Sequence, residues 1–142
     1  MSDATIYSIG QVAELFNLNI STLRYYDQLG LFPDLQRDAN GRRQFGPDEL
    51  NTLTIVECLK RTGMPLDDIQ RFMAWCDAGD ETIDQRLAMF LDRRQAVQQQ
   101  IQELEQTLTV IDHKCEYYQQ AHQDGTEAYV KKQTDDVYHL VH

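Results

Sequence analysis

Between Ile9 and Phe16 the apolar residues Ile9, Val12, Ala13, Leu15 and Phe16 recur at the spacing of one helical face. Asn17-Leu18-Asn19 breaks the pattern. Ser21 has the chemistry of an N-cap, and Thr22 to Leu29 reads as a second short helix ended by Gly30. Two short helices across such a turn form a helix-turn-helix candidate. Pro33 halts helical structure, and Asp38-Ala39-Asn40-Gly41 reads as a tight turn, with Asn40-Gly41 suited to a hairpin loop. Short flanks around Leu35 and Gln44-Phe45 would pair as a two-stranded wing with Arg42 and Arg43 near its tip. So small a hairpin is marginal alone and must pack on the helices. Gly46-Pro47-Asp48-Glu49 opens a third helix that runs to about Arg61 and is ended by Gly63. Pro65 to about Cys76 reads as a fourth.

The C-terminal half has another rhythm. Ile83, Leu87, Phe90, Val97, Ile101, Leu104, Leu108, Ile111, Cys115 and Tyr118 follow one 4-3-4-3 register, interrupted only at Arg94. This is the a/d seam of a coiled coil, sustained over roughly 55 Å of continuous helix. A single helix cannot bury such a stripe, and a second copy of the chain is the simplest partner. The expected organisation is a head over 1–76, a linker over 77–81, a long dimerisation helix over 82–121 and a short tail over 122–142. A short helix around Glu127 to Gln133 is expected to fold back, with Tyr129, Tyr138 and Leu140 as its apolar contacts. The fold class is mainly α.

Composition adds constraints. The chain has 142 residues, 42% of them hydrophobic, and its longest purely apolar run is Leu87-Ala88-Met89-Phe90-Leu91. That run is far below the ~20 residues of a membrane-spanning helix. Nothing at the N-terminus resembles a secretory signal, and Cys58, Cys76 and Cys115 are too scattered for a disulfide framework. A soluble, cytoplasmic protein with reduced thiols and no membrane partner is expected. Thirteen basic and 23 acidic residues give a net charge of −10, which argues against nucleic acid until its distribution is considered. Residues 1–75 carry 7 Lys/Arg against 10 Asp/Glu, and residues 76–142 carry 6 against 13. The less acidic half also concentrates Arg37, Arg42 and Arg43. No Gly-rich phosphate loop, Ser-His-Asp arrangement or paired carboxylates stand out, so no catalytic residue and no cofactor are assigned.

Several blocks carry a resemblance: Tyr7-Ser8-Ile9-Gly10-Gln11-Val12-Ala13, Thr22-Leu23-Arg24-Tyr25-Tyr26-Asp27, Gly30-Leu31-Phe32-Pro33, Asn40-Gly41-Arg42-Arg43 and Gly63-Met64-Pro65-Leu66. In this order, over residues 6 to about 76, they resemble the MerR family of bacterial transcription regulators. The resemblance implies a homodimer joined by an antiparallel coiled coil, whose two winged heads bind a pseudo-palindromic promoter with an over-long spacer. An effector then makes the dimer bend and untwist the DNA so that RNA polymerase, an indirect partner, can use it. Specificity would come in part from indirect readout of the deformed centre. Carried over by position, Thr22, Arg24 and Tyr25 match recognition-helix residues that reach bases or phosphates. Arg43 matches the wing arginine, and Lys60 matches a basic residue that reaches the backbone. Arg42 and Phe45 depart from the common pattern, where tyrosines are usual; a lost hydroxyl removes one possible phosphate contact, and an added guanidinium could replace it. Tyr26 has two readings, core packing or DNA contact.

The signal is less defined. The roughly 20 residues after Ala121 are too few for a dedicated drug pocket of several hundred Å³. Soft-metal sensing needs clustered ligands, and near the end of the long helix Cys115 has only His113 and His122 beside it. No metal site is assigned, and Cys115 reads as a seam residue. In the third helix Leu53, Val56 and Leu59 share a face from which Cys58 is turned away, in a row with Asn51, Thr54 and Arg61. A cation one turn on favours a thiolate, and the chain also resembles the thiol-based, aldehyde-responsive branch of the family. The sensing residue proposed on this basis is Cys58, modified by an electrophile in a stress response. A packed, unreactive Cys58, a metal- or small-ligand-responsive regulator and a non-DNA coiled-coil adaptor stay open as alternatives.

Overall fold

The computed structural model describes residues 5–133 and 136–142. Six α-helices and one small hairpin occur among them: α1 (Ile9–Phe16), α2 (Ile20–Gln28), β1 (Gln36–Arg37), β2 (Arg43–Gln44), α3 (Pro47–Arg61), α4 (Leu66–Ala78), α5 (Ile83–Asp124) and α6 (Tyr138–Val141). Short 3-10 turns lie at Asp80–Thr82 and Val130–Lys132. The chain divides into two compact units, Met1–Arg93 and Arg94–His142. The division falls beside Arg94, the one interruption of the apolar register.

In the first unit, α1 starts at a capping box. Ser8 Oγ accepts the Gln11 N–H at 3.2 Å, and Gln11 Oε1 accepts the Ser8 N–H at 2.8 Å. Asn17 ends the helix in the left-handed region (φ 53°), a conformation that Asn tolerates better than most residues. With the turn closed at Asn17, α2 begins at once. Its N-cap is Asn19, without a side-chain cap bond, and the expected cap Ser21 lies inside the first turn. Gly30 follows α2 at φ 84°, as a C′ glycine should.

The wing strands pair antiparallel with Gln36 opposite Gln44 and Arg37 opposite Arg43. The first strand thus starts after Leu35, and the loop is longer than a two-residue Asn-Gly turn. Asp38 organises it. Its carboxylate accepts the Asn40 and Arg42 N–H groups at 2.9 Å each, and Gly41 N–H returns to the Asp38 carbonyl at 2.9 Å. Gly41 alone in the loop takes a positive φ, 78°, which is the geometry of a type I turn followed by a left-handed glycine.

The core explains why so small a hairpin holds. Phe45, fully buried, continues β2 and exchanges backbone hydrogen bonds with Tyr7 at 2.8 and 2.9 Å. Its ring meets Phe32 edge-on at 5.4 Å. Around this pair pack Val12, Leu23, Tyr26, Leu31 and the α3 face Leu53, Val56 and Leu59, with Ile69 and Phe72 from α4. Gly46 N–H is capped by Glu49 Oε2 at 3.1 Å, and Pro47 opens α3.

The joint from α4 into α5 is closed by polar bonds. Gly79 adopts φ 88°, ψ −153°, a conformation open essentially only to glycine. Buried Thr82 sets its hydroxyl against the carbonyls of Trp75 and Gly79 and accepts a bond from Arg86 Nε at 3.1 Å. Arg86 Nη2 donates to the Gly79 carbonyl at 2.9 Å. Phe90 meets Phe72 edge-on at 5.3 Å, and Met89 packs on the head core.

In the second unit, α5 ends at Asp124 and Gly125 reverses the chain at φ 71°. The segment after it does fold back, but not on the expected aromatics. Val130 is the buried residue, together with Ala121 of α5, and the Tyr117 hydroxyl donates to Glu127 at 2.9 Å. Tyr129, Tyr138 and Leu140 are exposed. The tight 3-10 turn at Val130 aims its side chain inward and turns Tyr129 to solvent.

Candidate nucleic-acid interface

On α2 the buried ridge Leu23–Tyr26 leaves the other side of the helix outward. Arg24 and Tyr25 are exposed there, and Thr22 is half-buried beside them. Tyr26 is 1% exposed, so its ring belongs to the core. Only its hydroxyl is used at the edge, where it accepts a hydrogen bond from Lys60 Nζ of α3. The same ammonium lies 3.6 Å from Glu57 Oε2. The Tyr26 hydroxyl, and secondarily Glu57, hold the Lys60 pKa above the ordinary lysine value against the opposing effect of burial. Lys60 is thereby a fixed positive charge beside α2.

The wing is tied to that helix by a charge cluster. Arg43 Nε donates to Asp27 Oδ2 at 2.7 Å, and Arg37 Nη2 stands 3.7 Å from the same oxygen. Arg37 Nη1 donates to the Gly41 carbonyl at 2.8 Å, which stiffens the tip. Arg42 is exposed, its backbone N–H held by Asp38. The structure therefore brings Arg43 to α2 and Lys60 to Tyr26, and leaves Arg24, Tyr25 and Arg42 open to solvent. Phe45, which departs from the usual tyrosine, has its ring fully buried against Phe32 and so serves the core.

Asp27 and Asp38 were not among the residues expected to matter. Asp38 carried a signal, since Asp is favoured at the first position of a type I turn. Asp27 closes the Thr22–Asp27 block, but its pairing was not legible there, because its partners lie 10 and 16 residues away in sequence.

Cys58 is exposed on α3, away from Leu53, Val56 and Leu59. Cys76 and Cys115 are also exposed, and among the described residues no group of three or more His, Cys, Asp or Glu is placed to hold a metal ion. No helix among them is long and apolar enough to cross a membrane.

Residues 7–75 match the family described as MerR HTH family regulatory protein, and residues 50–114 match that described as MerR, DNA binding. An HTH-type transcriptional regulator of Haemophilus influenzae is 40% identical over 115 residues, covering 81% of this chain and 85% of that protein. The chain belongs to the MerR family. This MerR protein is a DNA-binding transcription regulator, not an enzyme. Its structure is similar to that of HiNmlR, a MerR family regulator lacking the sensor domain, solved bound to promoter DNA. The TM-score is 0.77 at 38% identity, covering 88% of this chain and 99% of that one. A MerR family regulator from Bacillus thuringiensis, 44% identical, superposes with a TM-score of 0.69 over 78% of this chain and 97% of its own.

Proposed function

We propose that this MerR regulator works in the cytoplasm as a homodimer joined along α5 in an antiparallel coiled coil. Its paired heads bind the two halves of a pseudo-palindromic promoter. They bend and untwist the spacer in response to an effector, so that RNA polymerase can engage it. The observation that carries the dimer is the exposed stripe on α5, where Ile101, Leu104, Leu108 and Ile111 are each half or more exposed. A helix with such a stripe demands an apolar partner. Binding by Arg24, Tyr25, Thr22, Arg42, Arg43 and Lys60 on the two flanks supplies the energy that distorts the centre.

The test uses a duplex selected from a random pool by the purified protein. Light scattering should count two chains per duplex, and donor–acceptor labels on its ends should report shortening on binding. One chain per duplex, or an unbent duplex in every state, would refute this reading.

For the effector we propose electrophilic modification of Cys58, which its exposure and its place off the core face of α3 support. Limiting N-ethylmaleimide followed by peptide mapping should label Cys58 before Cys76 and Cys115. Equal labelling of all three, or normal induction of a reporter in a Cys58→Ser strain, would discard the thiol switch.

A further inference from the structure

Asp27 sits in the last turn of α2, three residues beyond Arg24, on a helix whose outward side carries the DNA-facing groups. An acid there opposes phosphate, so its presence calls for a reason. Its side chain is only 19% exposed, and it is covered by cations: Arg43 Nε at 2.7 Å and Arg37 Nη2 at 3.7 Å. Arg37 and Arg43 are also direct partners across the wing ladder. Two like charges facing each other across strands destabilise the pair, and a hairpin of two residue pairs has little stability to lose. Asp27 supplies the countercharge, from a helix instead of from the hairpin itself.

We infer that Asp27 sets the DNA specificity of this regulator, as a positioning residue that holds the wing against the recognition helix and withholds the charge of Arg43 and Arg37 from non-specific phosphate binding. Two consequences follow from the geometry. Arg43 gives its Nε to Asp27, which fixes the direction of its two terminal nitrogens relative to Arg24 on the same helix. The wing's cations are therefore presented as one set with the recognition helix, and they reach phosphates together only on DNA of matching shape. Arg37, Arg42 and Arg43 carry three positive charges and Asp27 cancels one of them, so two are offered to any duplex instead of three. Sequence-independent affinity scales with neutralised phosphates, so Asp27 lowers that affinity while keeping the fitted contacts.

The inference rests on α2 and the wing being the DNA-binding face, and the experiment separates the two ideas. The full chain and its Asp27→Asn, Asp27→Glu, Arg43→Gln, Asp27→Asn/Arg43→Gln and Arg24→Ala variants would be titrated against the duplex selected by the unaltered protein and against a scrambled duplex of equal length. Sodium chloride would be varied, and folding checked by circular dichroism. Asp27→Asn should bind the scrambled duplex more tightly. Its salt slope there should steepen by about 0.9 per head, for the one charge that the Asp27 carboxylate cancels. The selected-to-scrambled affinity ratio should fall about tenfold, the size of one lost base-pair discrimination. Asp27→Glu should restore most of that ratio. In the Arg43→Gln background the slope change should shrink by at least half, because the charge being withheld is largely gone. Equal weakening on both duplexes with unchanged slopes would overturn the inference and leave Asp27 a packing residue. An Arg24→Ala variant with undiminished affinity for the selected duplex would instead remove α2 from the DNA face, and the inference with it.

Discussion

Replacing Leu104 and Leu108 by alanine tests whether the apolar stripe of α5 is a dimer seam. These side chains are 68% and 54% exposed in the single chain. Burying a leucine is worth about 1.5–3 kcal/mol, most of which alanine forfeits. Scaled by the fraction still exposed, each site loses about 1–2 kcal/mol per protomer when a partner covers it. A symmetric dimer contains four such sites, so the loss is about 4–8 kcal/mol, a rise of about a thousandfold or more in the dimer dissociation constant. Alanine keeps or improves helix propensity, so the helix itself should persist. Sedimentation equilibrium measures the constant, and far-UV circular dichroism checks the helix. Gln106, set on the opposite face of α5 by its spacing from both leucines, provides the control: Gln106→Ala should leave association within a few-fold. Should the double variant associate as tightly as the unaltered chain, the stripe is not the seam.

Three further substitutions probe the head. Phe45→Ala removes a fully buried ring and its edge contact with Phe32; it should cost about 3–5 kcal/mol in urea unfolding and release the wing. A cost under about 1 kcal/mol would mean the wing is held by its backbone alone. Tyr26→Phe removes the acceptor for Lys60, a part-buried bond at the edge of the core worth about 1 kcal/mol. The Lys60 pKa is raised in the folded state, so its contribution is present below the ordinary value of 10.5 and is lost as pH rises through the folded value. The stability gap between the variant and the unaltered chain should be constant near neutrality and close above about pH 10.5; a gap that grows with pH would contradict this. Thr82→Val strips the polar joint of the hydroxyl shared by Trp75, Gly79 and Arg86, and should cost about 1–3 kcal/mol by thermal unfolding. No change would mean that water replaces the hydroxyl.

Periodicity made the helices legible because one face of each pays the same solvent penalty at every turn, as Leu53, Val56 and Leu59 show on α3. The start of α2 was misread for a local reason. Ser21 and Asn19 both have capping chemistry, and the choice between them depended on Asn17 entering the left-handed region, which sequence only permits. In the tail, composition favoured Tyr129, but the 3-10 turn buried its neighbour Val130. The charge cluster at Asp27 was invisible because it joins residues from different elements, and no local pattern encodes that meeting. Phe45 shows the converse: a family pattern suggested a missing DNA contact, while packing makes it the anchor of the wing.

The closure at Gly79, Thr82 and Arg86 has a mechanical consequence. Between Ala78 and Ile83 the chain has no slack: a glycine-only backbone angle, a buried hydroxyl and a guanidinium hold the corner, and Phe72 and Phe90 brace it. Such a corner passes torque on instead of absorbing it. A small rotation of the first turns of α5 is delivered to α2 and the wing as a swing of the whole head, amplified by the distance from the pivot. The first turns of α5 and the head thus turn as one piece.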